Sequence, residues 1–388
     1  MVKSLIAEQF RIELYQTDAV RWRFSPRDVL SDATITWGRQ SLFDAPANRT
    51  LSFKVLLSKD LELNPASYLS TVVRAYRGTT LLFEGAIDQA DLGVQTHRSI
   101  SGGDHEVVVM SFHAVESKSF YGDLGQVSPT SGIHNVWELW NRFQGMNYRQ
   151  VEVTPFFRNY SFVPFEVEED YITLGEALSV VAAPFPLAQA NWEPGHRKVH
   201  ATIYRPDNPS TVLVSGLRTS IIRFDGPLSA DFQNVPARVS LTTGGLYGTT
   251  GIEKYWRRTE RNSIKRTRIG YIPQGYIGRK IEVNHPWPTD HWVDPGKQIL
   301  DLIAMQRTSP VRVTVFDDLD PNRHRIESEL YQTWEGDMRY QIIGPNPRHI
   351  VNAIGEGNHL AAIGGTLRVT PERTSHSLTM VYSYANQV

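Results

Sequence analysis

The chain has no cysteine among its 388 residues. That removes a disulfide framework, a zinc–thiolate site, an iron–sulfur cluster and a thiol nucleophile together, and it leaves the compartment open. An excess of either charge is also missing: 40 Lys and Arg face 41 Asp and Glu, for a formal net charge of -1. Such a balance supplies no overall attraction to nucleic acid or to an anionic membrane. Long hydrophobic runs are absent too, since no window reaches the roughly 18 apolar residues of a bilayer-crossing helix. At the start, Glu8 and Gln9 interrupt the apolar run before a signal-peptide core can form. The expectation is a chain with no membrane span and no signal peptide.

Catalytic motifs are lacking as well. There is no Gly-x-Ser-x-Gly elbow, no His-Glu-x-x-His helix and no Walker loop. Gly355-Glu356-Gly357-Asn358-His359-Leu360 begins like a dinucleotide fingerprint but has no final glycine and opens no helix, so it reads as a loop. The expectation is a protein that is not an enzyme, with no catalytic, cofactor-binding or metal-binding residues and no cofactor.

What is present points to strands. The composition is 40% apolar and 21% charged, with 16 Tyr, 16 Phe and 9 Trp, ordinary for a folded protein and weighted toward β-structure. Its length suits two or three domains. In Ile35–Leu57, Leu51, Phe53, Val55 and Leu57 alternate with Ser52 and Lys54, the period of a half-buried strand. The preceding Trp-Gly-Arg and Asp-Ala-Pro-Ala-Asn segments punctuate two strands.

Further strands are expected at Phe10–Tyr15, Val20–Phe24, Ala33–Trp37, Val72–Tyr76, Thr80–Phe83 and Glu106–Ala114, spaced for an antiparallel barrel or sandwich. Arg77-Gly78 marks a tight hairpin, and Val94–Asp104 reads as an exposed loop. Helical spacing predicts a helix over Ile133–Phe143. A Thr173 capping box opens another that runs to Ala183, and Asp294-Pro295 starts a third over Gly296–Arg307. A hairpin is expected from Leu187–Glu193 and Val199–Tyr204, and strands at Ser220–Phe224, Arg238–Thr243, Val311–Val315 and Leu378–Tyr384.

Four clusters carry possible chemistry. His285, Asp290 and His291 could ligate a metal, but Pro286 and Pro288 splay them, and surface histidines in a Pro/Trp loop account for the pattern. Asp318, Asp320, Asn322 and Glu329 fit EF-hand positions, yet Arg323 stands where that loop needs glycine; a polar turn or a non-EF calcium site is left. Lys254, Arg257, Arg258, Arg261, Lys265, Arg266 and Arg268 interleave with Tyr255 and Trp256. That is one footprint of single-stranded nucleic acid binding, or else a basic solvated face or subunit contact. Carboxylates scattered over the strands leave a glycosidase pair undecided.

Trp37-Gly38-Arg39-Gln40-Ser41-Leu42-Phe43-Asp44-Ala45-Pro46, followed by Leu51-Ser52-Phe53, resembles a recurring segment of minor tail proteins from siphophages and prophages of actinobacteria. Leu82–Asp88, Ile299–Val315 and Ser377–Ser383 are similar to later landmarks of that group. Ala45 departs from its pattern, where a polar residue is expected, and the basic stretch has no counterpart.

Such proteins are similar in turn to the baseplate hub of contractile-tailed phages. The resemblance implies a mainly β chain with α+β insertions and two antiparallel β-barrel domains of the phage tail-hub type. Residues 1–116 would be the first, ring-forming barrel and 117–217 an α+β insertion. Residues 218–248 would start the second barrel, 249–308 would be the second part of the insertion, and 309–388 the rest of the second barrel. It implies a structural virion protein of a tail tip, made in the host cytoplasm and assembled as a homotrimer. Its partners would be a distal tail protein, a tape-measure protein and tail fibre or receptor-binding proteins, with DNA passing only transiently through the lumen.

The alternatives are a distal tail protein forming a hexameric ring, or a carbohydrate-binding or cell-wall-hydrolysing tip protein. On the hub reading Trp37, Arg39, Asp44 and Phe53 are candidate subunit-contact or turn-bracing residues, and Arg257, Arg258, Arg261, Lys265, Arg266 and Arg268 a basic surface.

Overall fold

The computed structural model describes residues 10–16, 18–25, 28, 33–40, 46–56, 62–98, 104–117, 189–195, 198–202, 211–215, 222–225, 238–243, 264–267, 280–285, 310–316, 339–343, 360–370 and 374–382. The alternating segments become strands. In chain order they are β1 (Phe10–Gln16), β2 (Ala19–Phe24), β3 (Ala33–Gly38), β4 (Ala47–Leu56), β5 (Val72–Arg77) and β6 (Thr80–Arg98). Next come β7 (Asp104–Glu116), β8 (Gln189–Glu193), β9 (Lys198–Thr202), β10 (Thr211–Ser215), β11 (Ile222–Phe224) and β12 (Arg238–Thr243). The last six are β13 (Ile264–Thr267), β14 (Lys280–His285), β15 (Val311–Phe316), β16 (Arg339–Ile343), β17 (Leu360–Val369) and β18 (Thr374–Tyr382).

Helix is almost absent among the described residues. A 3-10 turn at Pro65–Tyr68 is capped by the Asn64 side chain, which accepts from the Ala66 amide. The helices expected at Ile133–Phe143, Thr173–Ala183 and Gly296–Arg307 lie outside the described residues.

Thirteen strands share one sheet, in the order β11-β15-β18-β17-β3-β4-β7-β6-β5-β1-β2, with β16 branching from β17 and carrying β10. Pairing is antiparallel except for β10 with β16 and β12 with β14. β13-β12-β14 and β8-β9 form two smaller sheets.

The phase of each strand explains the core. Phe10, Ile12 and Leu14 of β1 point inward with Leu51, Phe53 and Val55 of β4 and with Met110, Phe112 and Ala114 of β7. Leu367 and Val369 of β17 enter the same cluster, so strands from both ends of the chain bury one apolar interior. Burial of this kind stabilises by about 25 cal/mol per Å² of apolar surface.

The sheet also curls. Phe24 of β2 lies 6.2 Å from Phe53 of β4, and Trp22 lies 5.2 Å from Tyr68, although β2 and β4 are five positions apart in the ladder. Yet the ladder is not closed into a barrel among the described residues, unlike the closed barrels expected from the resemblance. The edge of β3 that would have to receive β2 is taken by β17, through the pairs Trp37 with Gly365 and Ile35 with Leu367. The N-terminal and C-terminal strands are thereby parts of one sheet.

Three segments differ from their sequence reading. β6 continues to Arg98 and β7 starts at Asp104, so most of the expected loop over Val94–Asp104 is a two-stranded ribbon. β17 follows the Gly355–Leu360 stretch where no strand was expected. β13 occupies part of the basic stretch that sequence pattern could not place.

Candidate functional site

Three features of the sheet could serve assembly: a seam joining the chain's two ends, a ladder of charges on the outer face, and a ribbon projecting past the core.

The seam lies where β3 meets β17 and β18. Trp37 is buried, and its indole N–H donates to Nε2 of the buried His376 at 3.1 Å. Because an indole only donates, that nitrogen accepts, and the imidazole is neutral with its proton on Nδ1. Gly38 adopts φ +75, and a Cβ there would stand 2.2 Å from the Ile363 carbonyl oxygen, so only glycine fits. A Cβ on Gly364 would likewise meet the Arg39 carbonyl oxygen at 2.2 Å.

The Arg39 amide donates to the Ile363 carbonyl at 2.7 Å, and its side chain is 1% exposed. Phe53 sits in the core, its ring 5.0 Å from Phe112. Trp37, Arg39 and Phe53 therefore face the chain's own interior. Asp44 lies outside the described residues.

The charge ladder crosses four strands. Arg23 of β2 pairs with Glu13 of β1, Glu13 with Arg74 of β5, and Arg74 with Glu84 of β6, so the signs alternate across the row. Opposite charges directly across strands attract, each pair contributing about 0.2–1 kcal/mol. Glu13 is 3% exposed and collects Arg11 at 3.0 Å, Arg23 at 2.8 Å and the Tyr15 hydroxyl at 2.6 Å.

Burial pushes the Glu13 carboxyl toward protonation, but the Tyr15 hydroxyl and the two guanidinium groups outweigh it and hold it below its ordinary value. Burial and the Glu13 carboxylate together drive the Tyr15 hydroxyl far above its usual range. Arg11 stacks over Tyr76 at 4.0 Å and Arg74 over Tyr15 at 4.6 Å, adding cation–π attraction. The carboxylates lie beneath and the arginines above, so this face presents cations and aromatics to solvent.

At the end of the ladder, two carboxylates hold the β8–β9 hairpin. Glu84 accepts from the Gly195 amide at 3.1 Å, and Glu116 accepts from the Trp192 amide at 3.2 Å and the Arg49 amide at 2.6 Å. The Arg49 side chain is fully enclosed; burial lowers the pKa of its guanidinium, and the Glu116 charge works against that.

Past Ile87 the β6–β7 hairpin leaves the sheet, after a register shift between Ile87 and Gln89. Residues 91–96 are all exposed, on both faces of the ribbon.

The remaining sequence candidates are placed as follows. Lys265 and Arg266 lie on β13, opposite Ser240 and Val239. Lys254, Arg257, Arg258, Arg261 and Arg268 lie outside the described residues, as do Asp290, His291, Asp318, Asp320, Asn322 and Glu329. His285 ends β14. Among the described residues no three His, Asp or Glu side chains group as a metal site. Glu13, Arg74, Glu84, Arg49, Glu116 and His376 escaped sequence reasoning. The signal for the ladder was available: Arg11-x-Glu13-x-Tyr15, Arg21-x-Arg23 and Arg74-x-Tyr76 are charges and aromatics in the outward phase of strands whose inward phase is apolar.

No protein-family model matches this chain, and no curated protein does. Among solved structures, the chain is similar to the tail protein from Neisseria meningitidis MC58. The two are 10% identical over 96% of each chain, with a TM-score of 0.55. It is equally similar to the 43 kDa tail protein of prophage MuSo2 from Shewanella oneidensis, at 10% identity over 96% of this chain and 98% of that one, with a TM-score of 0.55. At this identity the likeness establishes a shared fold.

Proposed function

We propose that the chain is a structural protein of a phage tail, and more narrowly a hub at the tail tip that joins the tube and distal-tail ring to fibres or receptor-binding proteins. One observation carries the reading: the fold likeness to two tail proteins runs over 96% of this chain and 96% or more of each of them. A shared module inside unrelated proteins would leave a large remainder on one side.

A scaffold role also agrees with what the described residues hold. Their buried charges, Glu13, Glu84 and Glu116, are tied to arginines and backbone amides within the sheet. A buried carboxylate satisfied by structural donors stiffens a wall. We assign Trp37 and Arg39 to bracing the seam and Phe53 to the core beneath β4.

At the tip, three copies form a ring, each contributing two barrel-like halves built from 1–116 and from 218–248 with 309–388, carrying the insertions between them. The ring's partners are the distal tail protein, the tape-measure protein and the fibres, and the virion is its location.

A nonsense mutation in the gene, complemented in trans, tests this. The expected phenotype is DNA-filled heads with no complete tails, restored by the wild-type chain. Normal tailed particles from the mutant would refute a structural role. Threefold density for this chain in particle reconstructions supports the hub; sixfold density would make it a distal-tail ring.

A further inference from the structure

The free part of the β6–β7 hairpin is an extension of the sheet's core face into solvent. On that face Ala90 and Phe112 pair over the core, Leu92 pairs with the buried Met110, and Val94 pairs with Val108. Beyond the core the row is exposed: Leu92, Val94 and Val108 are 42%, 62% and 38% exposed. The ribbon from Asp91 to Arg98 reaches about 25 Å at ~3.3 Å per residue. The free ribbon's sequence is acidic, with Asp91, Asp104 and Glu106 against Arg98, a net -2 with histidines neutral.

A second exposed apolar patch of the opposite electrostatic character lies at the β2 edge. Val20 and Val72 both pair with Tyr15 and so flank it on the outer face. Leu63 adjoins the Glu62–Arg21 ion pair, and Leu69 leads into β5. The charges here are Arg11, Arg21, Arg23 and Arg74 against Glu13, Glu62, Glu84 and the turn residue Asp18, a net of zero. Glu13 and Glu84 are buried, whereas Arg23 is 64% exposed, so the surface is more basic than that sum.

We propose that these two patches are the halves of one contact: the acidic apolar arm of one copy docks on the basic apolar β2 edge of the next. The surfaces differ, so the contact is heterologous, and repetition generates a ring. A second copy is the occupant because one chain carries both halves, matched in apolar character and opposite in charge. Among the described residues β2 is also the terminal strand of the ladder, and a terminal strand is an edge that a neighbour can cover. The inference deepens the homotrimer reading and rests on it for the number of copies in the ring.

The test uses the purified full chain and native mass spectrometry. Wild type is expected at three times 44.0 kDa. An arm variant, Val94→Asp with Val108→Asp, and an edge variant, Val20→Asp with Val72→Asp, are each expected as monomers with wild-type circular dichroism. Leu63→Asp with Leu69→Asp, in the segment around the 3-10 turn, serves as the edge variant if the strand changes disturb folding. Mixed together, arm and edge variants are expected to form a one-to-one dimer, because one intact arm meets one intact edge. Monomeric wild type, variants that still assemble, or a mixture with no dimer would overturn the contact. None of these results bears on whether the chain resides in a tail, which the nonsense mutant reports separately.

Discussion

Trp37 and His376 are 339 residues apart in sequence and joined by one hydrogen bond. Trp37→Phe keeps a ring in the seam but removes the donor from a buried acceptor, which costs about 1–3 kcal/mol; urea unfolding should show that loss. Glu13 makes stability depend on pH. Its folded-state pKa is depressed, so the unfolded chain binds more protons over the acidic window, and the stabilisation present at neutral pH is lost as pH falls. The loss begins near the ordinary glutamate value of about 4.3 and is complete below the depressed one. Glu13→Gln should lower the melting temperature at pH 7 and flatten its fall between about pH 5 and 3, measured by thermal melts across that range. Trp37 was legible as a landmark because a Trp-Gly-Arg turn stands out. Its partner was not, since nothing local to a histidine in a Ser/Thr strand marks it as buried.

At the scale of elements, legibility followed burial. β1, β2, β3 and β5 were readable because one face is apolar and the other polar. The outer half of β6 was not: from Asp91 to Thr96 both faces are exposed, so no buried face sets its phase, and pairing with β7 keeps it extended. β17 was missed for the opposite reason. Its Ala361, Ala362, Gly364 and Gly365 lack the branched residues that mark strands; at the two glycines Arg39, Trp37 and Ser377 approach too closely for a side chain.

Two outcomes belong to elements. Glu116→Gln should destabilise the chain by about 3 kcal/mol, since it leaves the enclosed Arg49 charge without its counter-charge. Adding Arg49→Met should recover much of that loss, as denaturant titrations would show. Replacing residues 94–108 by Asn-Gly should leave the melting temperature within a few degrees, because Met110, Phe112 and the rest of the core are untouched. The same deletion should abolish self-association in light scattering.

For the whole molecule, the mainly β class was legible in the aromatic and β-branched composition and in the regular turn spacing. The continuity of the sheet was not. It depends on β17 occupying the free edge of β3, and no pattern within either segment announces a partner more than 300 residues away. That pairing turns two ends of the chain into one curved wall, a shape shared with tail proteins at 10% identity. The most direct measurement is immunogold labelling of purified phage particles with antibody raised against this chain. The account predicts gold at the distal end of the tail on most particles; unlabelled particles, with the protein recovered only free in the lysate, would contradict it.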